Sequence, residues 1–170
     1  MNVSLPSRAE LLIIYHSMTG GTHQMAQACA QGARADPSVS VVLKHASQTD
    51  TDDILRADGY VFATPEYLGS MSGLMKDCFD RTYYPCLERL QGKPYAVMVC
   101  AGSDGQGAVK QIERIVTGWR LKAVAPPIII NVRAQTPERI LATKQLTESE
   151  LDPCVELGAM LGAGLGMGMF

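Results

Sequence analysis

Five short apolar runs alternate with segments of helical period along this chain, and that alternation constrains the fold more than any other feature. "ELLIIYH" (10–16), "VSVVLKHA" (39–46), "GYVFAT" (59–64), "PYAVMVCA" (94–101) and "PPIIINV" (126–132) each read as a buried strand. Between them Thr22, Met25, Cys29 and Ala33 recur at helical spacing, and "QTDTDDILRAD" offers caps and one short helix. Met71, Leu74, Met75, Cys78, Phe79, Thr82 and Tyr83 form a longer amphipathic series, and Val109, Ile112, Val116 and Trp119 mark another. A last helix begins near Thr147 or Asp152, since Thr147 and Glu150 have the spacing of a capping box. Continuously apolar strands are covered on both faces, and strands that alternate with helices pair in parallel. Right-handed crossovers make such a sheet doubly wound. The expected class is therefore α/β, a doubly wound five-stranded parallel sheet with helices on both faces, forming a single domain over residues 1–170. Two prolines lead the fifth run, which places it at an edge or at a strand start because proline cannot donate to a ladder. The tail "GAMLGAGLGMGMF" reads as a helix that frays, with a tight helix–helix contact through Gly158 and Gly162 as the alternative.

Composition removes several classes of partner. The net charge is −2, so no global field recruits nucleic acid or an anionic membrane, and carriers that dock on basic partners are usually far more acidic. Five cysteines, an odd count without C-x-x-C, point to reduced thiols in a cytoplasmic protein and away from a disulfide framework or zinc site. The N-terminus has no basic region followed by an apolar stretch, so no signal peptide is expected. The apolar run from Leu157 to Phe170 is shorter than the roughly 20 residues of a membrane span.

In an open α/β sheet, ligands bind beyond the carboxyl ends of the strands. Three loops then converge: residues 16–22, 64–71 and 101–107. The first, within "HSMTGGTHQMA", crowds Ser17, Thr19 and Thr22 around Gly20 and Gly21 and has no Lys or Arg. Its glycines let backbone approach a ligand, and its amides point outward at a helix N-terminus, where an anion is favoured. A triphosphate usually needs G-x-x-x-x-G-K-[ST], which is absent, and G-x-G-x-x-G is absent here too. A phosphate monoester held without an ion pair is the better fit. In the second loop, "TPEYLGSMSG", Pro65 adds stiffness, Tyr67 a flat surface, and Gly69 backbone freedom. The third, "CAGSDGQG", exposes backbone groups. An aromatic facing small residues can border a planar heterocycle.

These residues resemble a known family. "SMTGGT" matches the flavodoxin-type phosphate loop, [ST]-x-T-G-x-T. "TPEYLGSMSGLMKDCFDR" resembles the second loop of the FMN-dependent NAD(P)H oxidoreductases. It lies between the NADPH-dependent FMN reductases (P-E-Y-N-G-S) and the quinone-reducing flavoproteins once named as Trp-repressor-binding proteins (F-G-N-M-S-G-Q-M), with Leu68 and Ser70 where those loops carry Asn. The resemblance implies a flavodoxin-like fold with strand order 2-1-3-4-5, non-covalent FMN, and NAD(P)H as electron donor. It implies that Ser17, Met18, Thr19, Gly20, Gly21 and Thr22 bind the phosphate. It further implies that Pro65, Glu66, Tyr67, Leu68, Gly69, Ser70 and Met71 line the isoalloxazine, with Ala101, Gly102 and Ser103 on the other side. Relatives commonly form dimers or tetramers, so a homo-oligomer is expected.

Flavin supplies the redox chemistry and the protein sets access to it. With Tyr67 the only aromatic of the second loop and none in the third, one ring face is expected to stay open. An open face suits ping-pong transfer from NAD(P)H to a quinone or similar small acceptor, with no side chain needed as acid or base. The rivals are a one-electron carrier of the flavodoxin type and a flavin-binding module without turnover. A receiver-like domain needs clustered acids where the first strand ends, and Tyr15, His16 and Ser17 stand there instead. Glu66 reads more readily as a cap than as a flavin ligand, Cys100 as a structural thiol, and Asp50, Asp52 and Asp53 as helix caps. His16, His23 and His45 lack metal-ligand spacing, and His23, at the start of the first helix, is a candidate neighbour of the phosphate.

Overall fold

The computed structural model of the chain describes residues 8–170. Strand β1 (Ala9–Tyr15) is followed by α1 (Gly21–Ala33), β2 (Val39–His45), α2 (Thr51–Arg56), β3 (Gly59–Tyr67), β4 (Ser70–Met71) and α3 (Gly73–Thr82). Then come β5 (Pro94–Ala101), α4 (Gln106–Gly118), β6 (Lys122–Ala123), β7 (Ile128–Asn131), α5 (Pro137–Leu141) and α6 (Glu148–Gly166). The sheet runs β2-β1-β3-β5, with β6 on the first residues of β5 and β7 on its last four, all parallel. Counting the five long runs alone, this is the expected order 2-1-3-4-5. The fifth is an edge strand in two pieces, and Pro126 and Pro127 lie in the gap between them. Two prolines without N–H groups cannot ladder against β5 there, so pairing resumes only at Ile128.

Alternate side chains along the strands feed opposite faces. Leu12, Ile14, Tyr60 and Phe62 pack with Met75, Phe79, Ile112 and Trp119 from α3, α4 and the turn after α4. Leu11, Ile13, Val61 and Met98 pack with Met25 and Cys29 of α1 and Leu157 and Leu161 of α6. Leu11 through Ile14 are wholly buried, as a central strand covered on both sides requires.

Local chemistry explains most helix starts. Asp50 and Asp53 form a reciprocal capping box on α2, and Thr147 and Glu150 form one on α6. Ser72 caps α3, so the helix starts at Gly73, two residues after the Met71 that opens the apolar series; Met71 itself pairs with Glu66 in the short β4.

The tail does not fray at Gly158. Helix α6 continues to Gly166 and lies along α1, burying Leu157, Gly158, Leu161, Gly162, Gly164 and Leu165. A β-carbon on Gly158 would meet the Cys29 carbonyl oxygen, and one on Gly162 would lie 2.7 Å from the Ala33 carbonyl oxygen. The small-residue stripe is a contact surface, so backbone packs on backbone.

All five cysteines are free and buried, and among the described residues no cluster of His, Cys, Asp or Glu could hold a metal ion. No helix of the described residues is long and apolar enough to cross a membrane.

Candidate functional site

The carboxyl ends of β1, β3 and β5 lie side by side, with Tyr15 paired to Ala63 and Pro65 to Cys100. The loops leaving them enclose a cavity of about 620 Å³, within the roughly 300–1,000 Å³ of small-molecule sites.

The first loop ends at Gly20, whose φ of +94° is a left-handed conformation that favours glycine. The Gly20 amide donates to Ser17 Oγ (3.1 Å), and the Gln24 amide donates to the Gly20 carbonyl (3.1 Å), starting α1. No side chain caps this helix, and among the described residues none accepts from the amides of Gly21 or Thr22. The N-terminal partial charge of α1 is thus directed at the cavity. Thr22 Oγ1 is buried with no hydrogen-bond partner among the described residues, on a residue only 1% exposed that lines the cavity. A buried hydroxyl normally finds a partner. Gly21 has no room for a side chain: a β-carbon would lie 2.6 Å from Cys100 Sγ at the end of β5.

The second loop is a two-residue hairpin. Leu68 (φ +52°) and Gly69 (φ +72°) are both left-handed, and β4 returns antiparallel so that Tyr67 pairs with Ser70. Asn or Gly suits such a turn; Leu68 there costs about 1–2 kcal/mol and stands fully exposed at the cavity mouth. Gln111 of α4 fixes the hairpin, its Oε1 accepting from Ser70 Oγ (2.8 Å) and the Met71 amide (2.9 Å). The Glu66 carboxylate caps α4, accepting from the Gly105 amide (2.9 Å) and the Ala108 amide (3.0 Å).

Ser17, Met18, Thr19, Gly21 and Thr22, Pro65 through Gly69, and Ala101, Gly102 and Ser103 all line the cavity. Gly20, Ser70 and Met71 do not: Gly20 shapes the turn behind the loop, and Ser70 and Met71 face α4. His23 is turned aside, its ring stacked on Tyr15 at 4.9 Å. His16 and His45 join the same aromatic group, 5.5 Å apart edge to face. Burial, then the neighbouring His45 charge, lowers the His16 pKa. Cys100 lines the cavity, and burial pushes its thiol up to about 11, so it stays protonated and unreactive near neutral pH.

Five lining residues lie outside the three predicted segments or among their flanks: Cys100, Val132, Ala134, Ile140 and Lys144. The last four come from the stretch after β7, which folds back over the first loop. The Lys144 amide donates to the Thr19 carbonyl (2.8 Å), and the Gln24 side chain holds the Lys144 carbonyl (2.8 Å) and the Leu146 amide (3.0 Å). The expectation of a cation-free pocket is corrected here. Residues 16–26 carry no cation, but Lys144 arrives from more than a hundred residues downstream. It is the only cation, and Tyr67 the only aromatic, among the described residues that line the cavity.

The residues fit a flat molecule with a phosphate tail: an uncapped helix N-terminus, an unpartnered Thr22 hydroxyl, and one aromatic, Tyr67, lining the cavity together with the small Ala101, Gly102 and Ser103.

Comparison with known proteins agrees with this geometry. Residues 43–136 match the family model of the NADPH-dependent FMN reductases. A protein of Aquifex aeolicus named flavodoxin is 34% identical over 98 residues, covering 58% of this chain and 53% of its own. An NAD(P)H dehydrogenase (quinone) of Acidithiobacillus ferrooxidans is 31% identical, covering 58% of this chain and 60% of its own. The chain thus spans roughly half to three fifths of the curated relatives it matches. A solved flavodoxin from the domain Archaea superposes with a TM-score of 0.71 over 92% of this chain and 98% of its own, at 20% identity, which shows the shared fold. The family match takes in the hairpin at the end of β3 and the loop after β5. It spans more than half of the sequence, and the chain belongs to the NADPH-dependent FMN reductase family.

Proposed function

We propose that this chain is an FMN-dependent NAD(P)H oxidoreductase that passes electrons to a quinone or similar small acceptor by a ping-pong mechanism. The observation that carries the reading is the uncapped start of α1, with the unpartnered Thr22 hydroxyl, lining the same cavity as Tyr67. The family match and the names of the curated relatives support it. Bound FMN would supply the redox chemistry, taking two electrons from reduced nicotinamide and releasing them to the acceptor.

The chain's own residues bind and orient. Backbone amides and hydroxyls of residues 17–22 hold the phosphate. Tyr67, stiffened by Pro65 and by the α4 cap of Glu66, walls one side of the ring. Ala101, Gly102 and Ser103 lie opposite and are too small to cover the other face, which leaves room for donor and acceptor in turn. No side chain is needed as acid or base. The described fold serves as one FMN-binding domain, and it works as a homo-oligomer.

Anaerobic titration of the FMN-loaded protein tests this. NADH or NADPH is expected to bleach the visible flavin absorbance stoichiometrically, and a quinone is expected to restore it. Protein that stays yellow with both nicotinamides would contradict the reading and point to a carrier or a binding module.

A further inference from the structure

We propose that Lys144 is the phosphate-binding cation of this site, delivered by the strap that follows β7. The proposal rests on FMN being the cavity's ligand and assigns one further residue to its phosphate.

Three observations carry it. The backbone of Lys144 is pinned to the first loop through the Thr19 carbonyl, and Gln24 of α1 holds the Lys144 carbonyl and the Leu146 amide that follows, so its position over the loop is fixed. Its stem crosses the helix start: Lys144 Cβ and Cγ lie 3.5 and 3.6 Å from where a Gly21 β-carbon would stand. That is the end of α1 that has no cap and holds the unpartnered Thr22 hydroxyl.

The ammonium now rests on the Arg139 (2.7 Å), Ile140 (3.0 Å) and Ala142 (2.6 Å) carbonyls at the end of α5. Helix α5 buries none of its residues, so these acceptors are exposed. Carbonyls offer partial charges and a phosphate dianion a full double one. A lysine stem lets the charged head turn while the backbone stays clamped. Lys144 therefore leaves the α5 carbonyls for the phosphate when FMN binds. The cation missing from the sequence around Gly20 is supplied across the fold.

Flavin fluorescence titration with FMN and with riboflavin, which lacks the phosphate, tests the assignment. Wild type is expected to bind FMN far more tightly than riboflavin. Lys144→Met is expected to weaken FMN about 10- to 100-fold, the range for a hydrogen bond to a charged group, while riboflavin changes less than about threefold. Lys144→Arg, which keeps the charge, is expected to recover most of the FMN affinity. Added salt is expected to weaken FMN binding more in wild type than in Lys144→Met. Equal weakening of both flavins would assign Lys144 a purely structural role at α5 and overturn the proposal, as would an unchanged FMN affinity. A wild-type protein that binds neither flavin would overturn the cofactor reading itself, and this proposal with it.

Discussion

Gly158→Ala is expected to destabilise the protein by about 3 kcal/mol or more, at or beyond the upper end for overpacking a core. The added β-carbon would fall on the Cys29 carbonyl oxygen and 2.9 Å from the Ala33 amide nitrogen. Both are backbone atoms of α1, so no rotamer change relieves the clash and the helices must separate. The same surface is close-packed from the other side, since a β-carbon on Gly32 would meet the Val155 carbonyl of α6. Alanine's better helix propensity, worth about 1 kcal/mol over glycine, offsets only part of this. Because α1 carries the first loop at its other end, flavin affinity is expected to fall as well. Urea denaturation checks the stability, with Gly73→Ala as control. Gly73 opens α3 with nothing within 4 Å of a new β-carbon, so that variant is expected to be neutral or slightly stabilising. A Gly158→Ala midpoint equal to wild type would mean that the α1–α6 contact is looser than described.

Thr22→Val separates binding from folding. The Thr22 hydroxyl is buried without a partner, so replacing it by a methyl of similar shape removes an unsatisfied group. Apoprotein stability is expected to stay level or rise by up to about 1 kcal/mol. FMN affinity is expected to fall about 10- to 100-fold, because a hydrogen bond to a charged oxygen is worth about 1.5–3 kcal/mol. Urea denaturation of the apoprotein and fluorescence titration of the flavin read the two effects separately. A destabilised apoprotein with unchanged affinity would mean that the hydroxyl is satisfied internally and serves the fold alone.

Much of the scaffold was legible because its signals are local. The apolar runs place β1, β2, β3 and β5 within three residues at every end, and the Pro126–Pro127 pair marks the broken edge strand. The capping box at Thr147 appears as a spacing in the sequence and as hydrogen bonds in the fold, and Asp50 and Asp53, read as caps, prove to form a second box. Glu66 takes the capping role that its loop position suggests.

The rest depends on which segments meet. Strand β4 and helix α5 have two and five residues, too few to carry a period. Leu68 occupies a left-handed turn position that its side chain disfavours, so the hairpin is set by tertiary pairing and by Gln111 of α4. The glycines of α6 look like helix breakers until α1 is laid against them. Lys144 sits in an exposed, pattern-free stretch, and only its bonds to Thr19 and Gln24 in the fold show where it belongs. A flavodoxin-type loop without a nearby Lys or Arg gives no hint that the cation lies elsewhere in the chain.

In the proposed function the start of α1 receives the phosphate of a bound flavin. The most direct measurement is an amide NMR titration of ¹⁵N-labelled protein with FMN and, separately, riboflavin. Both ligands are expected to shift residues 65–69, and FMN alone is expected to move the Gly21, Thr22 and His23 amides strongly downfield. If FMN binds while those three amides stay where riboflavin leaves them, the phosphate is held elsewhere and the start of α1 is not its site.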